Sequence, residues 1–117
     1  MIKLFKPYIS PLAIKGVQRV FKSGQLAEGI EVKLFEHELE KVLNKKNIVT
    51  LNSGTSALEL AYELAGIGPG DEVITPALTC TATNLPLVRR GAKIIFADIS
   101  DDLNIYVKSV KNKITSN

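Results

Sequence analysis

The chain has 117 residues, of which 45% are apolar and 23% charged, so it is one globular domain or part of one. The net charge of +3 is small, and the mild clusters of lysines at 41–46 and 108–113 indicate solvated helix ends or a tail rather than a nucleic-acid surface. No run approaches the ~18 apolar residues of a membrane span, so no membrane contact is predicted. A single cysteine, Cys80, excludes an internal disulfide and a multi-cysteine metal site, and cytosol is the default location.

Two helices are predicted at the start of the chain. The first covers residues 10–22, with Ser10 as N-cap, Pro11 at the first helical position and an end at Ser23 and Gly24. The segment from Ser23 to Gly29 is predicted to be a loop. The second helix covers about residues 30–44, where apolar residues recur at intervals of three and four.

Three short strand-like runs follow, Ile48–Leu51, Glu72–Thr75 and Lys93–Ala97, separated by helical patterns. The helix over Thr79–Arg90 contains Pro86, which is expected to kink it or restart it at Asn84. Alternation at this spacing predicts an α/β fold: two leading helices, then βαβαβ with a mostly parallel sheet that is incomplete. A short helix is expected within Val107–Ile114.

The turn after the first run carries a polar cluster, from Asn52 to Ser56. In parallel sheets ligands bind beyond the carboxyl ends of the strands, where helix N-termini point. Gly54 would let the backbone approach an anion, and the Thr55 and Ser56 hydroxyls could donate to it. The alternative is a capping box made by Ser56 and Glu59, without any ligand.

Three other features have structural explanations. The run Gly66–Asp71 follows a helix and precedes a strand, so it is predicted to be a helix end and a Pro69-Gly70 turn rather than a dinucleotide motif. His37 is predicted to face solvent. Asp98, at the end of the third run, is as well explained by turn formation as by chemistry.

A second cluster of hydroxyls leaves the strand that ends at Thr75. Thr79, Thr81 and Thr83 alternate there, which fits either helix capping or the wall of a cofactor site. Cys80 is expected to be a buried small side chain rather than a nucleophile, because no activating partner is indicated.

The order of these motifs resembles that of the DegT/DnrJ/EryC1/StrS family, which are sugar aminotransferases that depend on pyridoxal 5'-phosphate (PLP) and have the aspartate aminotransferase fold (fold type I). The likeness extends from about Pro7 to Ile114. It is carried, in order, by Ser23-Gly24, Gly29, Val32-Phe35-Glu36, Ser53 to Leu58, Gly66 to Pro76, Ala82-Thr83-Asn84, Gly91-Ala92-Lys93 and Phe96 to Ile99.

The resemblance implies roles for particular residues. Gly54, Thr55 and Ser56 would hold the cofactor phosphate, and Thr79 and Asn84 would be neighbours of the cofactor. Cys80 occupies the position where the family usually stacks an aromatic ring, so it would make only a sulfur–π or van der Waals contact. Gln25 and Gly29 would lie toward a nucleotide-sugar substrate. Residues 1–29 would then be an N-terminal helix and substrate-side loop, and 30–117 part of the PLP-binding large domain.

Family members are longer, and their cofactor-bonding lysine lies beyond the matched motifs. No catalytic residue is therefore assigned here, and the chain is expected to be the inactive N-terminal part of an aminotransferase. An amino-acid donor, a nucleotide-sugar acceptor and a homodimeric state are implied for the intact enzyme. The alternatives are a non-catalytic phosphate-binding or oligomerising remnant, and a fragment of a PLP-dependent sugar dehydratase of the same family.

Overall fold

The computed structural model describes Ile2 and residues 5–116, so the outermost positions of the two predicted domains, 1, 3, 4 and 117, lie outside it. The described residues form five helices and two strands. In chain order these are α1 (Pro11–Ser23), α2 (Ile30–Leu43), α3 (Gly54–Leu64), β1 (Glu72–Pro76), α4 (Thr81–Arg89), β2 (Lys93–Ala97) and α5 (Val107–Lys111).

The chain divides into two compact units. The first ends at Thr50 and contains α1 and α2, and the second begins at Leu51 and contains the remaining elements. The predicted division after residue 29 concerns function rather than compactness and stays a prediction. No helix in the described part of the chain combines the length and apolar character needed to cross a membrane.

Helix α1 begins and ends as its sequence predicts. The Ser10 hydroxyl accepts a hydrogen bond from the Leu12 N–H at 3.3 Å, and Pro11 occupies the first turn, where its missing N–H costs no helical bond. Gly24 ends the helix with φ of 73°, a left-handed conformation that glycine adopts without steric cost.

Helix α2 begins at Gly29 without a side-chain cap and ends at Asn44, which adopts φ of 49°. His37 faces solvent, as predicted, with a side chain 62% exposed and 3.7 Å from the Glu40 carboxylate. The predicted apolar stripe is only partly covered within this unit, since Phe35 and Val42 remain exposed.

The run Ile48–Leu51 forms no strand in the described chain, which corrects the first of the three predicted strands. A strand exists only where a neighbour completes its ladder, and no described segment pairs with this run. Instead, the Glu36 carboxylate accepts hydrogen bonds from the Thr50 N–H at 2.7 Å and the Thr50 hydroxyl at 2.9 Å. The run is therefore anchored by a side chain of α2.

The Glu36–Thr50 contact is expected to make stability depend on acid pH. The bond from the Thr50 N–H, then the bond from its hydroxyl, lowers the pKa of Glu36 below its ordinary value of 4.5. A lowered folded-state pKa stabilises the fold above the unfolded value and loses that effect as pH falls through the folded value. Glu36→Gln should therefore flatten the loss of stability below about pH 4.5.

Urea midpoints of the wild type and Glu36→Gln between neutral and acid pH measure this effect. Thr50→Val is the matched control, because it removes the hydroxyl donor and leaves the backbone donor in place. An unchanged difference between the two proteins at every pH would show that Glu36 carries no linked proton.

Helix α3 begins three residues earlier than a capping box at Ser56 would require. Ser53 is its N-cap, with an extended backbone, and the Ser53 hydroxyl accepts from the Ser56 N–H at 3.1 Å. Glu59 pairs instead with Arg89 at 2.7 Å. The capping-box alternative is therefore wrong: Ser53, not Ser56, is the N-cap, and the Glu59 carboxylate pairs with α4 instead of the backbone of its own helix.

The turn between α3 and β1 is a helix end, as predicted. Gly66 has φ of 73°, and Gly66 and Ile67 donate back to the Glu63 and Tyr62 carbonyls. This pair of bonds is a Schellman motif, which satisfies the last carbonyls of the helix. The Asp71 carboxylate then accepts from the Gly68 N–H at 2.8 Å and closes the loop.

Strands β1 and β2 are parallel neighbours, with Glu72 opposite Lys93 and Pro76 opposite Ala97. Helix α4 connects them and packs on β2 and α3. It runs through Pro86 as one helix and does not restart at Asn84. Pro86 costs the helix one hydrogen bond, and full burial of Pro86 beside Leu87 offsets that cost.

Asp98 has a structural role at the end of β2. The Ser109 hydroxyl donates to the Asp98 carboxylate at 3.1 Å, and the Asp98 N–H donates to the same hydroxyl at 3.0 Å. The Tyr106 N–H donates to the Asp98 carbonyl at 2.8 Å. These bonds attach α5, which ends at Lys111, to the sheet, so turn formation is the role that the structure supports.

Candidate functional site

The N-terminus of α3 presents backbone donors to an open space. Because Ser53 is the N-cap, the N–H groups of Gly54 and Thr55 lie in the first turn, where no helical carbonyl is available to them. The Ser56 N–H is satisfied by Ser53, and the Ala57 N–H donates to the Ser53 carbonyl at 3.1 Å. Two donors therefore remain for a ligand, at the positive end of the helix dipole.

Space beside Gly54 is available for that ligand. A Cβ placed on this residue would have no atom of the chain within 4 Å, and its backbone does not adopt a left-handed conformation. Nothing within the described residues thus requires glycine at this position. A group that approaches the backbone from outside the chain would require it.

The hydroxyls of this turn are not equivalent. The Ser56 hydroxyl donates to Asn52 Oδ1 at 2.9 Å and lies 2.9 Å from the Ser53 hydroxyl. The Thr55 hydroxyl is half-buried, and it forms no hydrogen bond within residues 5–116. Thr55 is therefore free to bind a ligand in a way that Ser56 is not.

Thr79 and Cys80 lie at the N-terminus of α4. Cys80 is the N-cap residue and is exposed, so the expectation of a buried thiol is wrong. The reason is that this turn stands beyond the end of β1, where no described residue covers it. The Thr79 hydroxyl lies 3.0 Å from that of Thr83, which orients it.

The contacts of α3 and α4 place both helix N-termini at one end of the sheet. Glu63, in the last turn of α3, pairs with Arg90 at the end of α4, and Glu59 pairs with Arg89. Helix α4 begins just after β1 ends, and the chain reverses between α3 and β1. Gly54 and Cys80 are thus both on the carboxyl side of β1, the edge where parallel sheets bind ligands.

Two buried oxygens near this edge have no partner among the described residues: Thr75 Oγ1 and Asn84 Oδ1. Thr75 is 5% exposed and is the second-last residue of β1. Buried hydroxyls without a partner are uncommon, because desolvation is then uncompensated. Thr75 was not among the predicted site residues, although a hydroxyl in the otherwise apolar end of a strand is a signal that could have indicated it.

The predicted substrate-side residues, Gln25 and Gly29, lie in the first compact unit and contact each other there. Gln25 and Gly29 line a cavity of about 300 Å³ between α1 and α2. The Gln25 Oε1 atom is 3.4 Å from where a Cβ on Gly29 would lie. Arg19 and Glu31 pair at 3.0 Å on the wall of the same cavity. This cavity has the size of a small-molecule site, with a mostly apolar lining and a few polar groups.

The residues at the α3 N-terminus fit a phosphate group. Two unpaired backbone N–H groups and a free hydroxyl supply hydrogen-bond donors, and the space beside Gly54 admits the ligand. The fold is that of an α/β protein, and this edge of its parallel sheet offers hydrogen-bond donors that suit an anionic ligand.

The chain belongs to the DegT/DnrJ/EryC1/StrS aminotransferase family, whose model matches residues 7–117. It is 43% identical over 106 residues to the spore coat polysaccharide biosynthesis protein SpsC of Bacillus subtilis, a match that covers 86% of this chain and 27% of that protein. It is 40% identical over 84 residues to the UDP-2-acetamido-2-deoxy-3-oxo-D-glucuronate aminotransferase of Pseudomonas aeruginosa, covering 72% of this chain and 23% of that one.

Among solved structures, the chain is similar to the GDP-4-keto-6-deoxy-D-mannose-3-dehydratase of E. coli, which contains bound hydrated PLP. The TM-score is 0.85 at 30% identity, and the match covers 97% of this chain and 31% of that one. The family and the fold type I architecture predicted from the sequence are thereby confirmed. The chain spans less than a third of the length of each of these proteins.

Proposed function

We propose that the protein carrying this chain is a PLP-dependent aminotransferase that transfers an amino group to a keto group of a nucleotide-linked sugar. The observation that carries the proposal is the family match over residues 7–117, in which the predicted phosphate-binding turn has two unpaired backbone donors. A relative named as a UDP-keto-sugar aminotransferase supports the reaction. The polysaccharide pathway of another relative supports a role in glycan synthesis.

In this proposal, the turn after residue 52 binds the cofactor phosphate. The Gly54 and Thr55 N–H groups donate to the phosphate oxygens, and the helix dipole adds attraction of about 0.3–2 kcal/mol per charge, depending on burial. When bound, PLP supplies an aldehyde and a conjugated pyridine ring that carry the amino group from donor to acceptor. Thr79 and Cys80 would lie beside the bound cofactor, to which the exposed Cys80 thiol would offer a soft, polarisable contact.

The substrate-side part of the proposal rests on the cavity that Gln25 and Gly29 share. The Gln25 amide has donors and an acceptor for sugar hydroxyls, and it packs against Gly29, with Oε1 3.4 Å from where a Cβ on Gly29 would lie. A homodimer, an amino-acid donor and a cytosolic location complete the proposal. The cytosolic location is supported by the low cysteine content of the 117 residues, Cys80 alone, which fits a reducing compartment.

The reaction can be tested with the complete gene product. Incubation with PLP, glutamate and a nucleotide-linked keto sugar should give the amino sugar, identified by mass spectrometry. Loss of water from the sugar without a gain of nitrogen would instead identify a dehydratase, the activity of the E. coli neighbour. Failure to bind PLP would overturn both and favour a remnant without catalysis.

Residues 1–117 alone are expected to be inactive, because no lysine in them lies in a motif that the family uses for bonding to the cofactor. Treatment with PLP and borohydride should leave no stoichiometric label on any one lysine, as read by peptide mass spectrometry. Full labelling of a single lysine would contradict this expectation and place a catalytic amine within the chain.

A further inference from the structure

The side chains of Asn52, Ser53 and Ser56, at the start of α3, are joined in a chain of hydrogen bonds that we call the relay. The Ser56 hydroxyl donates to Asn52 Oδ1 at 2.9 Å, and the Ser53 and Ser56 hydroxyls lie 2.9 Å apart. The Ser56 N–H donates to the Ser53 hydroxyl at 3.1 Å. The relay therefore begins at a backbone N–H and ends at an amide oxygen.

The direction of each bond in this relay follows from the number of hydrogens. A serine hydroxyl has one hydrogen, and Ser56 donates that hydrogen to Asn52 Oδ1. The contact between the two serines must then be made by the Ser53 hydrogen, with Ser56 Oγ as acceptor. Both serine hydroxyls have consequently donated their only hydrogen within the chain.

A phosphate dianion accepts hydrogen bonds and donates none. A hydroxyl without a free hydrogen turns a lone pair toward such an anion, which is repulsive. Thr55, next to Ser56 and without a hydrogen-bond partner in the described chain, keeps its hydrogen. The two adjacent hydroxyls thus differ in what they can offer to the same ligand.

We propose that Asn52 is a positioning residue: by accepting the Ser56 hydrogen it withholds that hydroxyl from the cofactor phosphate and leaves Thr55 as the hydroxyl donor. The inference rests on the proposed function, since the phosphate is that of PLP. The sequence predicted that both the Thr55 and the Ser56 hydroxyl could donate to the phosphate; this inference keeps Thr55 and removes Ser56. An Asn52 amide turned by 180° would present Nδ2, which donates, and would release the Ser56 hydrogen.

Titration of the complete gene product with PLP, followed by its absorbance, tests this assignment. Thr55→Val should weaken PLP binding by about tenfold or more, the effect of one hydrogen bond to a charged group. Ser56→Ala should change it by less than about threefold, because no bond to the phosphate is lost. Pyridoxal, which lacks the phosphate, is the control ligand and should bind wild type and Thr55→Val equally.

The role of Asn52 is tested by a double-mutant cycle. Asn52→Leu removes the acceptor at similar volume and frees the Ser56 hydrogen, so Ser56→Ala should then cost about tenfold in PLP affinity in this background. The ³¹P shift of bound PLP should move in Asn52→Leu and return in the double variant. Circular dichroism of each variant separates loss of the helix cap from loss of phosphate contact.

Four other results would each contradict a different step of this proposal. Equal costs of Ser56→Ala and Thr55→Val in the wild-type background would show that Ser56 donates to the phosphate. Equal costs of Ser56→Ala with and without Asn52 would show that Asn52 does not orient it. Loss of pyridoxal binding in Thr55→Val would assign Thr55 to the ring. Absence of PLP binding in the wild type would overturn the proposed function itself.

Discussion

Replacing Gly54 with alanine is expected to lower the PLP affinity of the complete gene product by about tenfold, or ~1.4 kcal/mol, without loss of fold. In the free chain the added methyl group meets no atom within 4 Å, and the Gly54 backbone needs no left-handed conformation. Alanine is also a better helix former than glycine by about 0.5–1 kcal/mol. The cost should therefore appear only when a ligand occupies the space beside the backbone.

Gly68→Ala is the matched control for this experiment. Gly68 also has open space around an added Cβ and no left-handed conformation, but it lies in the turn after α3, at the other end of that helix. PLP titration and thermal unfolding of both variants should show a change of affinity in Gly54→Ala alone. Unchanged PLP binding in Gly54→Ala would remove this residue from the cofactor site.

Truncating Leu87 to alanine is expected to destabilise the protein by about 2–5 kcal/mol. Leu87 is 0% exposed and lies in α4, which packs against both β2 and α3. Pro86, Leu87 and Ala97 are the buried apolar side chains of the described residues, so little other packing is available to absorb the cavity. The free energy of unfolding from urea denaturation measures the loss.

Leu85→Ala separates burial from helix composition, because Leu85 lies in the same helix with 39% of its surface exposed. This variant should cost about three-fifths as much as Leu87→Ala or less, because Leu85 buries a correspondingly smaller apolar area and its truncation leaves no fully enclosed cavity. Equal losses of unfolding free energy in the two variants would show that Leu85 is as deeply buried as Leu87 and would contradict this orientation of α4.

Much of the local structure was predictable from the sequence. The start of α1 at Ser10-Pro11, its end at Gly24 and the reversal at Gly66 follow from the φ preferences of proline and glycine and from side-chain caps. The parallel pairing of β1 and β2 followed from the alternation of apolar runs with helices. Each of these features depends on neighbours close in the chain.

The features that were predicted wrongly depend on distant neighbours. A strand at Ile48–Leu51 needs a ladder partner, and Thr50 is bound by Glu36 instead. Cys80 is a residue type that is usually buried, but no described element covers the turn beyond β1. In the alternative capping box, Ser56 and Glu59 would act together, but Ser53 caps α3 and Glu59 pairs with Arg89, thirty residues away in α4.

The sequence by itself determined the family, the order of helices and strands, and the placement of a glycine-bearing turn at a helix N-terminus, because these follow from residue type and spacing. Only the three-dimensional structure decided which atoms of that turn remain free, although the contacts involved join residues three or four positions apart. A hydroxyl hydrogen goes to whichever acceptor lies within about 3 Å in the right direction. For Ser56 that acceptor is Asn52, whereas the hydroxyl of Thr55 meets none in the described chain.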